Sequence, residues 1–467
     1  MRDNKKEDYR HHHVPELKEH ALKLSMKEGA SSAVSTSIGE NYITPYALAL
    51  GAQPVHIGYL SSFSGFLYQL SQLISIKMME KYSRKRIVIT FVFLQSILWL
   101  GIASLGIFLF KGFDGSLVYI LIVAYSLLML LGGIAYPAWF SWMGDLVPED
   151  QRGSYFSKRS RIINIAGVAI VLLTSFLLDL FKTKGYLIIG FAILFSLASI
   201  FRFISFILLS KKYSPKFRQK KRDYFSIWAF IKRYDNFGKF AVYQGFFNLA
   251  IMVASPFFAV YMLKELGFSY ATFIIVNISL TIFMTISLPI IGKISDKYGN
   301  KILLVLANIL FIATPLLWLV STSPLWIIFV PQLSAGIANA ALLISYNNFT
   351  YDAVKPKHRA ICISYANIFV GMGIFIGSLI GGYIVNYLHP ISINPYIFVF
   401  LIAASLRLLV ALFFIPQIKE VRKVKKLPSK YAMLHYPIHI IYVELARIPR
   451  IPLKILGKFK NLRMFQI

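Results

Sequence analysis

Glu40 is the single charged residue in an otherwise uncharged run, Gly29 to Leu50. A carboxyl at that depth in an apolar span is expensive to keep, so it reads as a functional group: a proton carrier or a contact for a substrate. Spacing of four puts Thr36, Glu40 and Thr44 on one helix face, with Asn41 and Tyr46 beside it. Other polar residues fall on helical stripes of their own. Gln244 and Asn248 stand one turn apart, Asn277 is followed at fours by Thr281 and Thr285, and Gln332, Asn339 and Tyr346 recur every seven. Tyr136 and Trp139 add aromatic faces, with Trp142 one turn further on, where a membrane-interface belt would also place it. Each amide alone serves equally well to hold helices together. Taken as one lining they offer an acid, amides, hydroxyls and rings without an arginine cluster at mid-depth. That favours a cation, a polyol or an amphipathic molecule over a multiply anionic one.

A second set of residues lies in polar loops. Glu80, Lys81, Arg84 and Lys85 follow one apolar run, and Asp296, Lys297, Gly299 and Lys301 follow another. Asp145 precedes Arg152 by seven residues, and Asp352 precedes Arg359 by the same seven. Acids beside cations at helix ends can bond to a neighbouring helix N-terminus or to an arginine when two ends meet, which makes a latch. Enzyme chemistry finds little footing. Cys362 has no evident base, His56, His358, His389, His435 and His439 are scattered, and His11, His12 and His13 read as a solvated tract, so no metal, cofactor or catalytic group is predicted. An integral-membrane enzyme on a lipid-linked substrate, or a non-transporting receptor, remains the rival reading.

The elements that position these residues follow from composition. Of 467 residues, 57% are hydrophobic and 15% charged, which excludes a soluble globular chain. About 20 apolar residues cross a bilayer. Twelve such runs can be drawn, from Gly29 to Leu50 through Tyr396 to Ile415; the first and the seventh, Phe240 to Met262, are the more polar. The fifty Lys and Arg concentrate in alternate loops, at residues 81–86, 152–161, 293–301 and 355–359, whereas the opposite loops hold only Lys111, Lys182, Lys184 and Lys264. By the positive-inside rule both termini are cytoplasmic. The expected organisation is an N-terminal tail (1–28), a six-helix bundle (29–210), a basic central loop (211–237), a second six-helix bundle (238–416) and a basic, interfacial C-terminal tail (417–467). The basic segments suit anionic lipid headgroups better than nucleic acid.

The two halves repeat one another. Glu80 and Asp296 sit in matching loops 216 residues apart, and the Asp145 and Asp352 segments match at 207. Ala198-Ser199 with Arg202 is echoed by Ala404-Ser405 with Arg407, and Thr44-Pro45-Tyr46 by Ser255-Pro256-Phe257. Because both halves carry an arginine there, Arg202 and Arg407 are expected to be structural. Glu40 faces Ile251 in the repeat, so symmetry does not account for it.

Parallel duplication of a six-span unit, with the loop Gly292-Lys-Ile-Ser-Asp296-Lys297-Tyr-Gly299-Asn300-Lys301, resembles the major facilitator superfamily over about Gly29 to Pro416. In the first-half copy Ile76, Glu80 and Ser83 replace the two glycines and the aspartate. The resemblance implies an all-α polytopic fold of twelve transmembrane helices in two pseudo-symmetric bundles. It also implies a secondary transporter of a small solute working by rocker-switch alternating access in the plasma membrane, monomeric and without a cofactor. Glu80, Lys81, Arg84, Lys85, Asp145, Arg152, Asp296, Lys297, Gly299, Lys301, Asp352 and Arg359 would then form a cytoplasmic gate, and Glu40 would carry coupling. The fourth span lacks an arginine near Gly132-Gly133 and the fifth lacks the glycine- and proline-rich pattern of drug/proton antiporters, so a multidrug exporter is not predicted.

Overall fold

The computed structural model describes residues 2–109, 116–148, 151–215, 227–232, 235–355, 358–388, 393–422 and 424. About half of the basic central loop and most of the basic C-terminal tail lie outside the described residues, as do the side chains of His11, His12, His13 and Arg152.

Backbone N–H and C=O groups find no water in a hydrocarbon layer, so apolar runs must satisfy them internally as helices. Twelve spans do so: α1 (Arg2–Ala49), α2 (Pro54–Lys81), α3 (Arg84–Leu109), α4 (Ser116–Leu146), α5 (Arg152–Thr183), α6 (Leu187–Lys211), α7 (Asn236–Glu265), α8 (Tyr270–Tyr298), α9 (Asn300–Leu317), α10 (Pro324–Ala353), α11 (Arg359–Tyr387) and α12 (Pro395–Phe414). Caps and prolines set several starts. Asp235 accepts from Gly238 N at 2.9 Å, Ser269 from Thr272 N at 3.1 Å and Asn394 from Tyr396 N at 2.9 Å. Pro54, Pro324 and Pro395 occupy first-turn positions, where a missing N–H costs nothing.

Ten of the twelve, α3 to α12, are long and apolar enough to cross a membrane by length and composition. The polar pair is α1 and α2. Here the structure corrects the sequence reading, which ranked α2 among the clear spans and α7 among the weak ones. Helix α2 can afford its serines because it is enclosed: Ser62, Ser64, Ser71 and Ser75 are buried, and its main partners are α4 and α11. Helix α1 runs through the expected boundary at residue 29 without a break.

The halves pack alike. In the first, α1 packs on α5 and α6, α3 on α4 and α6, and α2 on α4; in the second, α7 packs on α11 and α12, α9 on α10 and α12, and α8 on α10. Each pairing recurs with its number raised by six. The halves meet along α2–α11 and α5–α8, which exchange under the same operation. A parallel duplication folded twice and joined about a pseudo-two-fold axis gives this pattern. Glycines permit the closest approach. Gly377 lies against the carbonyl oxygen of Leu249 on α7, and a Cβ built on Gly58 of α2 would stand 2.8 Å from the carbonyl oxygen of Ser378 on α11.

One end of the molecule carries the four basic loops; the other is nearly neutral. At the neutral end the halves are joined by polar bonds. Asp179 of α5 accepts from the backbone N–H groups of Tyr270 (2.8 Å) and Ala271 (2.9 Å) at the start of α8, and Lys264 Nζ donates to the carbonyl of Ala52 at 3.0 Å.

Candidate functional site

Helix α1 brings Glu28, Ser32, Thr36 and Glu40 to one face, and around that face lies a cavity of about 290 Å³. Tyr68 of α2, Gln95 and Trp99 of α3, Tyr136 and Trp139 of α4, Arg159 of α5 and Arg202 of α6 complete its wall. All six helices of the first half contribute. The cavity runs from mid-span at Glu40 to Glu28, twelve residues or about 18 Å along the helix, at the basic end.

The charges are arranged unequally. Glu28 is buried, taking Arg159 Nη2 at 3.1 Å and Ser205 Oγ at 3.1 Å. Arg159 also donates to the Ser25 carbonyl at 3.3 Å and lies over the Trp139 ring, 4.5 Å from its centre. Arg202 bonds neutral acceptors: Nε to Gln95 Oε1 at 3.0 Å, Nη2 to the same oxygen, and Nη1 to Ser32 Oγ at 2.7 Å. Gln95 is fixed in turn by donating Nε2 to the Leu128 carbonyl at 2.9 Å. Glu40 is open to the cavity and has no hydrogen bond or ion pair among the described residues; Arg202 is the cation whose charge acts on it. The wall thus offers one uncommitted carboxyl, one arginine held only by neutral groups, and four aromatic rings.

Of the sequence-predicted lining, Glu40, Tyr136 and Trp139 come together here. The others are placed elsewhere. Asn41 donates to its own helix at the Ser37 carbonyl, 2.8 Å away, and Tyr46 is fully buried, bonded to the Ile102 carbonyl and packed between Phe191 and Phe195. In the second half Asn248, Asn277 and Asn339 each bond a carbonyl one turn back, at Gln244, Phe273 and Ala335. Gln244 is buried, and Gln332 joins α10 to α8 through the Val276 carbonyl at 2.9 Å. An amide that finds a carbonyl on its own or a neighbouring helix has satisfied itself without a ligand. Trp142, weighed as a belt residue, is fully buried, with Nε1 donating to the Tyr213 carbonyl and Lys212 Nζ over its ring.

The two equivalent arginines make different contacts: Arg407 is 1% exposed and donates to the carbonyls of Ala250, Ile251 and Phe311, whereas Arg202 lines the cavity. The sequence leads one to expect no arginine cluster at mid-depth; the wall includes Arg202 and, at its basic end, Arg159. Helix α7 is broken near Val253 and Ala254, so Arg407 serves carbonyls beside that break. Arg159 and Glu28 were assigned to a loop and a tail, but α5 and α1 are already helical there. The signal for Glu28 was in the sequence: Glu28, Ser32, Thr36 and Glu40 recur every four residues.

The basic-end residues form separate clusters in each half. Arg84, with 1% of its side chain exposed, meets Asp145 at 2.6 Å and donates to the Ser141 carbonyl at 2.9 Å. Lys85 Nζ donates to the Lys212 carbonyl at 2.9 Å, and Glu80 and Lys81 are exposed. The Ser83 loop needs no glycine, because Tyr82 turns the chain in an extended conformation. Gly299 does need its own, at φ +88°. In the second half Asn300 donates to Asp352 at 2.9 Å, Asp296 is exposed, Lys297 lies over the Tyr298 ring, Lys301 N donates to Glu420 at 2.7 Å, and Arg359 bonds the Val354 and Tyr351 carbonyls. Arg152 lies outside the described side chains.

A family model described as Major Facilitator Superfamily matches residues 29–252 and again 240–463. This chain belongs to the major facilitator superfamily. The repeated match restates the internal duplication. Over 127 residues, 27% of this chain and 30% of the relative, the chain is 32% identical to the tetracycline resistance protein, class H, of Pasteurella multocida. Over 132 residues it is 27% identical to multidrug resistance protein 1 of Bacillus subtilis (strain 168), covering 28% of this chain and 32% of that one. The chain thus spans about a third of the length of the curated relatives it matches. Among solved structures it is similar to the nucleoside transporter NupG in a mutant form (TM-score 0.68, 16% identity, 85% of this chain and 100% of that one). It is also similar to a bacterial homologue of the human lysosomal transporter Spinster, inward-facing and unoccupied (TM-score 0.64, 15% identity, 88% and 99%). Family and fold therefore agree: the chain is a superfamily member, and the solved structures it resembles share its fold.

Proposed function

We propose that this superfamily member is a secondary active transporter that carries one small solute across the plasma membrane by alternating access, with protons coupled through Glu40. The observation that carries the reading is the uncommitted Glu40 carboxyl at mid-span, in a cavity that runs to the basic end while Asp179 and Lys264 hold the neutral end together. Positive loops favour the cytoplasm, so the basic end is cytoplasmic and the molecule is in its inward-open state.

The chemistry follows from the wall. A proton or a cationic group is met by Glu40, an apolar body by Tyr68, Trp99, Tyr136 and Trp139, and a polar group by Gln95 and Arg202. Arg159 is committed to Glu28, which leaves Arg202, among the described residues of the wall, as the cation to which a substrate acceptor can bond. Rocking the halves about α2–α11 and α5–α8 would break the Asp179 and Lys264 bonds and close the basic end, exposing Glu40 to the other side. The test is flux into liposomes under an imposed pH gradient, across sugars, amino acids, nucleosides and organic cations. Uptake of one class that collapses without the gradient, and that Glu40→Gln uncouples from it, supports the reading. Product formation without flux would replace it with an enzyme, and ligand binding without flux with a receptor.

A further inference from the structure

The two halves tie their basic ends by different means. Arg84 of the first half corresponds to Asn300 of the second, 216 residues on, and Asp145 corresponds to Asp352, 207 residues on. The first half uses an ion pair, Arg84 to Asp145 at 2.6 Å. At the matching place Asn300 supplies only a neutral bond to Asp352, at 2.9 Å. The cation comes from beyond α12: Arg422 Nε lies 2.7 Å from Asp352, and its Nη1 lies 3.8 Å from Asp296.

The segment that carries Arg422 is clasped in place. Asn236 exchanges two hydrogen bonds with the Lys419 backbone, at 2.8 and 2.9 Å. Glu420 accepts from Lys301 N at 2.7 Å and from its own chain at Val421 N and Arg422 N. Its carboxylate lies over Gly299, filling the space that a side chain there would occupy. Among the described residues after α6, none makes such a contact with the matching acid: Lys212 turns inward to Met143 Sδ at 3.2 Å and to the Trp142 ring.

We infer that Arg422 is a positioning residue that replaces the arginine missing at position 300 and sets the balance between the two transport states. With Arg422 in place, Asp352 is held within the second half, the exposed Asp296 lies beside the same guanidinium, and the basic end stays open. Without it, both carboxylates become available to exposed cations of the first half, such as Lys81, and the closed state gains. The inference rests on the transport reading, but its test needs no substrate.

Spin labels at Ser157→Cys and Lys355→Cys, in a Cys362→Ser background, report the distance between the halves at the basic end in full-length protein. Arg422→Ala should move population from the long distance to a shorter one, changing the ratio roughly tenfold, or about 1.4 kcal/mol. Adding Asn300→Arg should restore the long distance, because the new arginine stands where Arg84 stands in the first half. Arg422→Gln, which keeps the segment and the side chain's length but not its charge, should mimic Arg422→Ala, and it serves if that variant elutes as an aggregate; adding Asp352→Asn should weaken the shift, because one of the freed carboxylates is then gone. Unchanged distances in Arg422→Ala and Arg422→Gln, or no restoration by Asn300→Arg, would overturn the inference. Failure of flux with the expected distance changes would instead overturn the transport reading alone.

Discussion

Replacing Asp179 with alanine should loosen the neutral end of the molecule while leaving the fold intact. Its carboxylate accepts from two backbone N–H groups, those of Tyr270 and Ala271, across the α5–α8 boundary. Both belong to the first turn of α8, where unpaired donors and the helix dipole favour a negative charge. Each such bond contributes about 1 kcal/mol net, so the pair stabilises the neutral-end contact by about 2 kcal/mol, a factor of roughly 30 in population. The helix itself survives, because Ser269 still caps Thr272 N at 3.1 Å. Labels at Lys184→Cys and Thr322→Cys, again without Cys362, would report separation at this end. Asp179→Ala should populate a longer distance; Asp179→Asn, keeping one acceptor oxygen but no charge, should lie between it and the parent. Identical distances in all three, at equal monodispersity, would refute the assignment of Asp179 as a closing contact.

Other perturbations follow from the same packing. Gly377→Leu sets a side chain into the Leu249 carbonyl where α11 meets α7, and should destabilise the fold by about 3 kcal/mol, lowering the melting temperature sharply, or prevent assembly; a melting curve like that of the parent would show that the helices are not in contact there. Burial pushes the Lys212 ammonium down to about 8. Below that pH the lysine is charged in both folded and unfolded chains, and the folded state bears the burial cost; between about pH 8 and its ordinary value near 10.5 the folded form alone is neutral, so stability rises with pH. Lys212→Met should therefore raise the melting temperature at pH 7 and flatten that rise. A variant that still stabilises between pH 8 and 10 would contradict it.

The twelve spans and their duplication were legible because both leave one-dimensional traces: apolar runs of bilayer length and loops that repeat at a fixed offset. Glu40 was legible for the same reason, since its repeat partner Ile251 shows that symmetry does not require it. What escaped was decided by three-dimensional neighbours. Arg202 and Arg407 are equivalent in the repeat, yet one meets Gln95 and Ser32 and the other meets carbonyls beside the break in α7. Arg159 looked like one more topology cation; only the packing of α1 on α5 places it against Glu28 and Trp139. Helix α2 looked apolar because its serines are spread along the run, and its burial between α4 and α11 is a tertiary fact. The Arg422 contact is longer in range still, since nothing local ties residue 422 to residues 296 and 352. The amides of the second half illustrate the converse: helical stripes in sequence that the structure spends on backbone carbonyls.

The claim on which the account turns is that the first-half cavity around Glu40 receives the solute. It is tested most directly by thermal-shift screening of the purified full-length protein against sugars, amino acids, nucleosides and organic cations at two pH values, comparing the parent with Glu40→Gln. The account predicts at least one class that raises the melting temperature of the parent, more at one pH than at the other, and fails to do so for Glu40→Gln. Ligands that shift both proteins equally at both pH values would contradict it, leaving Glu40 a structural residue and the site elsewhere.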